Sequence, residues 1–212
     1  MQKNNQIKLL DEIIATAYQL LVHKLAFGGI IARNESSFQL ELGYILKTLG
    51  QLYEFSVADK FHLEFETYIS LNKMSKKSGS DKARVDLLLV YKNENCTTRA
   101  AIELKFFKKE NHREPNNRDD VFKDVSNLEL YKQHGIDICY FILATDHSHY
   151  YNQEKYSIDT ADFDFRNETT YKAGTILRYK TNKPSGEALC LSQDYTFVWD
   201  SINDLYFLKL KI

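Results

Sequence analysis

The chain has 212 residues, a length that suits one domain with some elaboration. Hydrophobic residues make up 43% and aromatics 13%, which supports a packed core and excludes a disordered chain, while 28 basic against 29 acidic residues exclude a protein that coats nucleic acid through bulk charge but leave room for a local basic groove. No apolar run approaches the roughly 20 residues that cross a bilayer, acidic residues interrupt the first apolar stretch, and the three cysteines (Cys96, Cys139, Cys190) are odd and scattered, so the expectation is a reduced, cytoplasmic protein with no membrane partner.

Ile7, Leu10, Ile14, Tyr18, Leu21 and Val22 recur at helical spacing and predict a leading helix over 7–25, broken at Gly28-Gly29. A second helix is expected from about 34–37, with Ser36 and Gln39 spaced as a capping box, Phe38, Leu42, Ile45, Leu46 and Leu49 as its buried stripe, and Gly50 as its stop. Residues 61–71 alternate, with Phe61, Leu63, Phe65, Thr67 and Ile69 on one face of a strand. The loop over 72–84 carries five basic residues and one acid, and its end overlaps a doubly buried strand over 84–91. A third strand follows over 100–107, then a polar loop to about 118, a helix over 119–134 with Val121, Phe122, Val125, Leu128 and Tyr131 inward, a Gly135 cap, and an apolar strand over 136–145. The remainder reads as short strands that extend or cap the same sheet. The expected organisation is a single mixed α/β domain: a leading helix over 1–33, a core over 34–145 and a β-rich extension over 146–212.

Chemistry concentrates at Asp86, Glu103 and Lys105. Glu103 and Lys105 are two apart on a strand and leave the same face, with Ile102 and Leu104 opposite. A hairpin between the two strands places Asp86 beside Glu103. Two adjacent carboxylates repel, and a hard divalent cation relieves them, Mg²⁺ with oxygen ligands being the natural choice and Mn²⁺ a substitute. A neighbouring lysine then orients or deprotonates a water and stabilises developing charge. The set suits phosphodiester hydrolysis.

Asp86, followed on the next strand by Glu103-Leu104-Lys105, resembles the PD-(D/E)xK nuclease superfamily, whose restriction-endonuclease-like core runs helix, three-strand meander, helix, strand, the order expected here for 34–145. Val85 stands where the family name has proline. The resemblance covers about half of the chain. It implies a Mg²⁺-dependent endonuclease, DNA as substrate, Asp86 and Glu103 as metal ligands with the Leu104 carbonyl, and Lys105 at the attacking water. It also implies a further acid from the helix before the meander, for which Glu35 and Glu41 both qualify; Glu35, fifteen residues ahead of Gly50, is the one preferred. A restriction, defence or repair setting follows from the family alone.

Around this centre Lys77, Arg84, Lys108, Lys109, Arg113, Arg118 and Lys123 form an expected phosphate-binding rim. His147 and His149 in the loop after the apolar strand read as polar loop residues, and Tyr150, Tyr151, Tyr156, Phe163 and Phe165 read as core. The alternative to an enzyme is a non-catalytic module that binds nucleic acid or protein on the same fold. A homodimer, with the leading helix as a candidate interface, or a separate partner subunit fits a nuclease of this size.

Overall fold

The computed structural model describes residues 2–71, 80–155, 158, 161–180 and 188–212. Helices α1 (Lys3–Ala26) and α2 (Glu35–Gln51) precede strands β1 (Lys60–Ser70), β2 (Lys82–Lys92) and β3 (Thr97–Phe107). Helix α3 (Glu114–Gln133) leads to β4 (Ile138–Thr145), and a one-turn helix α4 (His149–Asn152) follows. Short strands β5 (Thr170–Tyr171), β6 (Ile176–Leu177), β7 (Leu189–Cys190) and β8 (Tyr195–Thr196) precede β9 (Trp199–Ile202) and β10 (Leu205–Lys211). The fold is mixed α/β, and its central sheet has the order β1-β2-β3-β4-β10-β9. Only the β3–β4 contact is parallel, because α3 carries the chain back across one face between them.

The sheet separates two cores. On one face α1 and α2 cover Ile102, Leu104, Ile142 and Phe207. On the other, α3 and the C-terminal segment cover Ala101, Phe141, Leu143 and Leu208. β4 is buried along its whole length, which explains its unbroken apolar sequence. The apolar stripe of α1, Leu10, Ile14, Ala17 and Leu21, is buried against the sheet and α2, so it is not an open interface for a partner. No helix among the described residues is long and apolar enough to cross a membrane.

Several local expectations change. The cap of α2 is Asn34, not Ser36: its side chain accepts from the Ser37 N–H at 2.8 Å and the Ser37 hydroxyl accepts from the Asn34 N–H at 3.0 Å. Gln39 is thereby released to donate to the Asp86 carbonyl at 2.7 Å. Gly50 does not stop α2; it lets the helix close on β1, where an added Cβ would stand 2.4 Å from the Phe61 ring. Helix α3 begins at Glu114, earlier than expected, because Pro115 sits in its first turn, where no N–H is needed.

The largest departure concerns β1. Phe61 and Leu63 pack with the α1–α2 core, but Ile69 and Leu71 pack with the α3 core. In β2, Leu87 and Leu89 face the first core and Ala83 and Val85 the second. All these positions are odd-numbered and would share a side in a regular strand. The switch lies at Glu66, a non-glycine residue with φ of 53°, and at Asp86 beside it.

Candidate functional site

The β2–β3 ladder runs from Lys92↔Thr97 to Leu87↔Ile102. Asp86 and Glu103 are the next residues on each strand, where pairing has ended. The Leu104 N–H donates to Asp86 Oδ2 at 2.6 Å, so the aspartate side chain takes over the role of the missing strand partner. The face switch in β2 is what aims Asp86 at this gap.

Glu103 is fully buried and accepts from the Tyr131 hydroxyl at 2.9 Å. Lys105, also on the α3 face, ends among oxygens: its Nζ lies 2.9 Å from Asp124, 3.6 Å from Glu35 Oε1 and 3.0 Å from the Leu104 carbonyl, to which it donates. Asp124 is fully buried. Glu35 opens α2, and its carboxylate side chain remains 45% exposed. The structure thus brings together Glu35 of α2, Asp86 of β2, and Glu103 and Lys105 of β3, three elements in all. Glu41, six residues further along α2, makes no hydrogen bond or ion pair with them among the described residues. Of the two acids Glu35 is the one at the site.

Sequence reasoning missed the acids of α3. Asp120, Asp124 and Tyr131 are spaced four and seven apart, on one helical side, and face this cluster. The available signal was a helix with four acids between 119 and 129 that still had to pack on a sheet.

The charges explain the titration behaviour. Burial acts to lower the Lys105 pKa, but Asp124, Glu35 and Asp86 outweigh it and hold it above the usual lysine range. Burial raises the Glu35 pKa, Lys105 opposes that, and Asp86 and Asp124 push it up again, leaving it above the usual carboxylate range. Burial and the neighbouring Asp124 raise Asp120. Burial and the Glu103 carboxylate raise Tyr131, so its hydroxyl stays protonated as a donor. Glu35, Asp86 and Asp124 therefore act together on the Lys105 ammonium, with Asp120 beside them.

A cavity of about 210 Å³ opens beside Lys105 and Glu35, with Asp120, Asn111, Arg113 and Asn117 in its wall. A larger cavity of about 450 Å³ between α1 and β9–β10 has its Tyr18 hydroxyl already donating to Asp200 at 2.8 Å and lies away from the acid cluster.

The expected basic rim is only partly realised. Lys109 and Arg113 are exposed, and Arg113 borders the cavity. Arg84 is paired with Glu66 at 2.8 Å, Lys108 with Glu110 at 3.1 Å, and Lys123 with Asp119 one turn away. Arg118 is fully buried over the Tyr150 and Phe165 rings, so its guanidinium does not meet a phosphate in solvent. Lys77 lies outside the described residues. His147 and His149 stack at 5.3 Å, and His147 Nε2 lies 3.0 Å from Glu114.

Among the described residues no three carboxylate, histidine or cysteine side chains converge to hold a metal by themselves. The donors nearest the gap, Asp86, Glu103 and the Leu104 carbonyl, are all oxygens. That chemistry fits Mg²⁺, which takes one or two carboxylates and completes its shell with water and substrate oxygen. Compared with known proteins, the chain matches no family model, no curated protein and no solved structure.

Proposed function

We propose that the protein is a metal-dependent nuclease of the PD-(D/E)xK type, hydrolysing phosphodiester bonds of DNA. The observation that carries this reading is the break in β2–β3 pairing, at which Asp86 and Glu103 lie next to Lys105, while Lys105 and Glu35 open onto a cavity. The order α2, β1–β3, α3, β4 supports a restriction-endonuclease-like core.

In this reading Asp86, Glu103 and the Leu104 carbonyl hold Mg²⁺, and Mn²⁺ substitutes. The bound cation supplies Lewis acidity and neutralises the phosphate. Lys105 orients the attacking water and stabilises negative charge on the phosphorus oxygens. Glu35 completes the acid set from the α2 terminus through water. Tyr131 donates to Glu103 and fixes the orientation of its carboxylate. Arg113 and Lys109 guide the substrate backbone at the cavity mouth.

The test compares wild type with Glu103→Gln and Lys105→Met on DNA and RNA, in Mg²⁺, Mn²⁺ or EDTA. Metal-dependent cleavage of DNA by wild type is expected, with each variant at least about 100-fold slower. Cleavage that persists in EDTA, or that both variants retain, refutes the assignment. Metal-independent nucleic-acid binding without cleavage moves the protein to the non-catalytic reading.

A further inference from the structure

Lys105 stands on a group that a metal also needs. Its Nζ donates to the Leu104 carbonyl at 3.0 Å, and this carbonyl is one of the three oxygens assigned above to the cation. An ammonium and a divalent ion on one carbonyl oxygen repel each other across it. Loading the metal therefore favours a Lys105 that has moved off Leu104. Asp124 offers it another place: a fully buried carboxylate 2.9 Å from the same Nζ, on the helix whose Tyr131 also donates to Glu103. Glu35, at 3.6 Å and half exposed, is a looser partner.

We infer that Asp124 is the positioning residue for Lys105: it holds the ammonium off the Leu104 carbonyl when metal binds and keeps it at the edge of the cavity where water and substrate enter. In the metal-free protein Lys105 bridges the two oxygens and serves as the resident cation of the acid cluster. The inference rests on the metal reading above and adds a residue that the resemblance does not supply.

The bridge makes a prediction that simple charge counting does not. Asp124→Asn removes an anion and weakens metal binding by either route. If Asp124 acts through Lys105, the loss depends on the lysine being present. If it acts through space, the loss is the same without the lysine. Mn²⁺ affinity, measured by calorimetry or by the electron paramagnetic resonance of free Mn²⁺, is therefore compared in wild type, Asp124→Asn, Lys105→Met and the double variant. Lys105→Met is expected to bind Mn²⁺ more tightly than wild type. Asp124→Asn is expected to weaken binding about tenfold in wild type and at least about threefold less in the Lys105→Met background. Where a single variant folds poorly, the structure of the metal-loaded wild type decides.

Equal losses in the two backgrounds overturn the inference while leaving the metal site intact. A wild type that binds no Mn²⁺ refutes the metal reading itself. A structure with Mg²⁺ bound supplies the second readout: Lys105 Nζ stays on Asp124 and leaves Leu104. Nζ still on the Leu104 carbonyl in the loaded protein overturns the inference.

Discussion

Asp86 has two tasks that substitution can separate. As an acceptor it satisfies the buried Leu104 N–H, and as a charge it contributes to the acid cluster. Asp86→Asn keeps an acceptor and loses the charge, whereas Asp86→Ala loses both and orphans the N–H. Urea denaturation should find Asp86→Ala less stable than Asp86→Asn by about 1–3 kcal/mol, with both deficient in metal binding. Glu35 gives a pH test. Its carboxyl is raised above the ordinary value, first by burial and then by Asp86 and Asp124, so the folded state binds a proton that the unfolded state has released. Stability from this group is complete at acid pH and declines as pH rises from the ordinary carboxylate range through the raised one. In EDTA, Glu35→Gln should therefore gain on wild type at neutral pH, and the gain should vanish on acidification, when Glu35 is itself neutral. A melting-temperature difference that does not change with pH refutes this. At this scale Glu103 and Lys105 were readable because the two-residue step in a strand fixes a shared face, Asp86 because a hairpin sets it beside Glu103, and Glu35 only through the family resemblance. Asp124 was not, because an acid between apolar helix positions looks like a solvent face until a lysine from another element meets it. Tyr131 was read only as apolar, and its hydroxyl has no meaning without Glu103.

Secondary elements place these residues by packing more closely than their patterns suggest. Helix α2 approaches β1 through glycines: a Cβ on Gly43 would stand 2.4 Å from Phe65 Cζ, and one on Gly50 equally close to the Phe61 ring. This approach carries the α2 terminus, and Glu35 with it, to the end of β3, where Phe38 stacks on Phe106 at 5.4 Å. Gly50→Ala should therefore destabilise by about 1–3 kcal/mol through overpacking, although alanine is the better helix former. Adding Phe61→Leu should recover part of the loss, as thermal melts can check, and a neutral Gly50→Ala refutes the close approach. Residue periodicity located α1 and α2 because their stripes are uninterrupted, although α1 begins at Lys3, four residues ahead of the expected start. It failed for β1, where strict alternation predicts one inward face. The left-handed backbone at Glu66 reverses the alternation there, held by the Arg84 ion pair and by Gln39, which donates to Glu66 at 3.0 Å. No residue-type pattern encodes that reversal, since a glycine would be the usual marker of positive φ and none is present.

The molecule as a whole depends on its C-terminal segment, which closes the sheet and seals the outer side of α3. β10 pairs with β4, and Lys211 reaches back to Asp11 of α1 at 2.7 Å, so the first and last elements are clamped together. On the α3 side Phe122 is ringed by Phe163, Phe165, Tyr171 and Phe197. Arg118 lies in this layer, 5.3 Å from the Tyr150 centroid and 5.2 Å from that of Phe165, and donates to the carbonyls of Phe163 and His149. The sequence presented it as one more cation in a basic lead-in, because burial of an arginine is decided by aromatic residues about 30 to 50 positions later in the chain. The two roles are separable. A phosphate contact contributes about one unit to the salt dependence of nucleic-acid affinity and little to stability, whereas a buried guanidinium does the reverse. Arg118→Lys keeps the charge but loses the planar fork and its stacking, and should cost about 2–4 kcal/mol in urea denaturation. Its salt slope for DNA binding should match wild type under conditions where the variant is folded. Arg113→Ala and Lys109→Ala, at exposed positions, should leave the urea midpoint unchanged and each lower the slope by about one. A lowered slope in Arg118→Lys with undiminished stability would return Arg118 to the binding surface and require the aromatic layer to open around it.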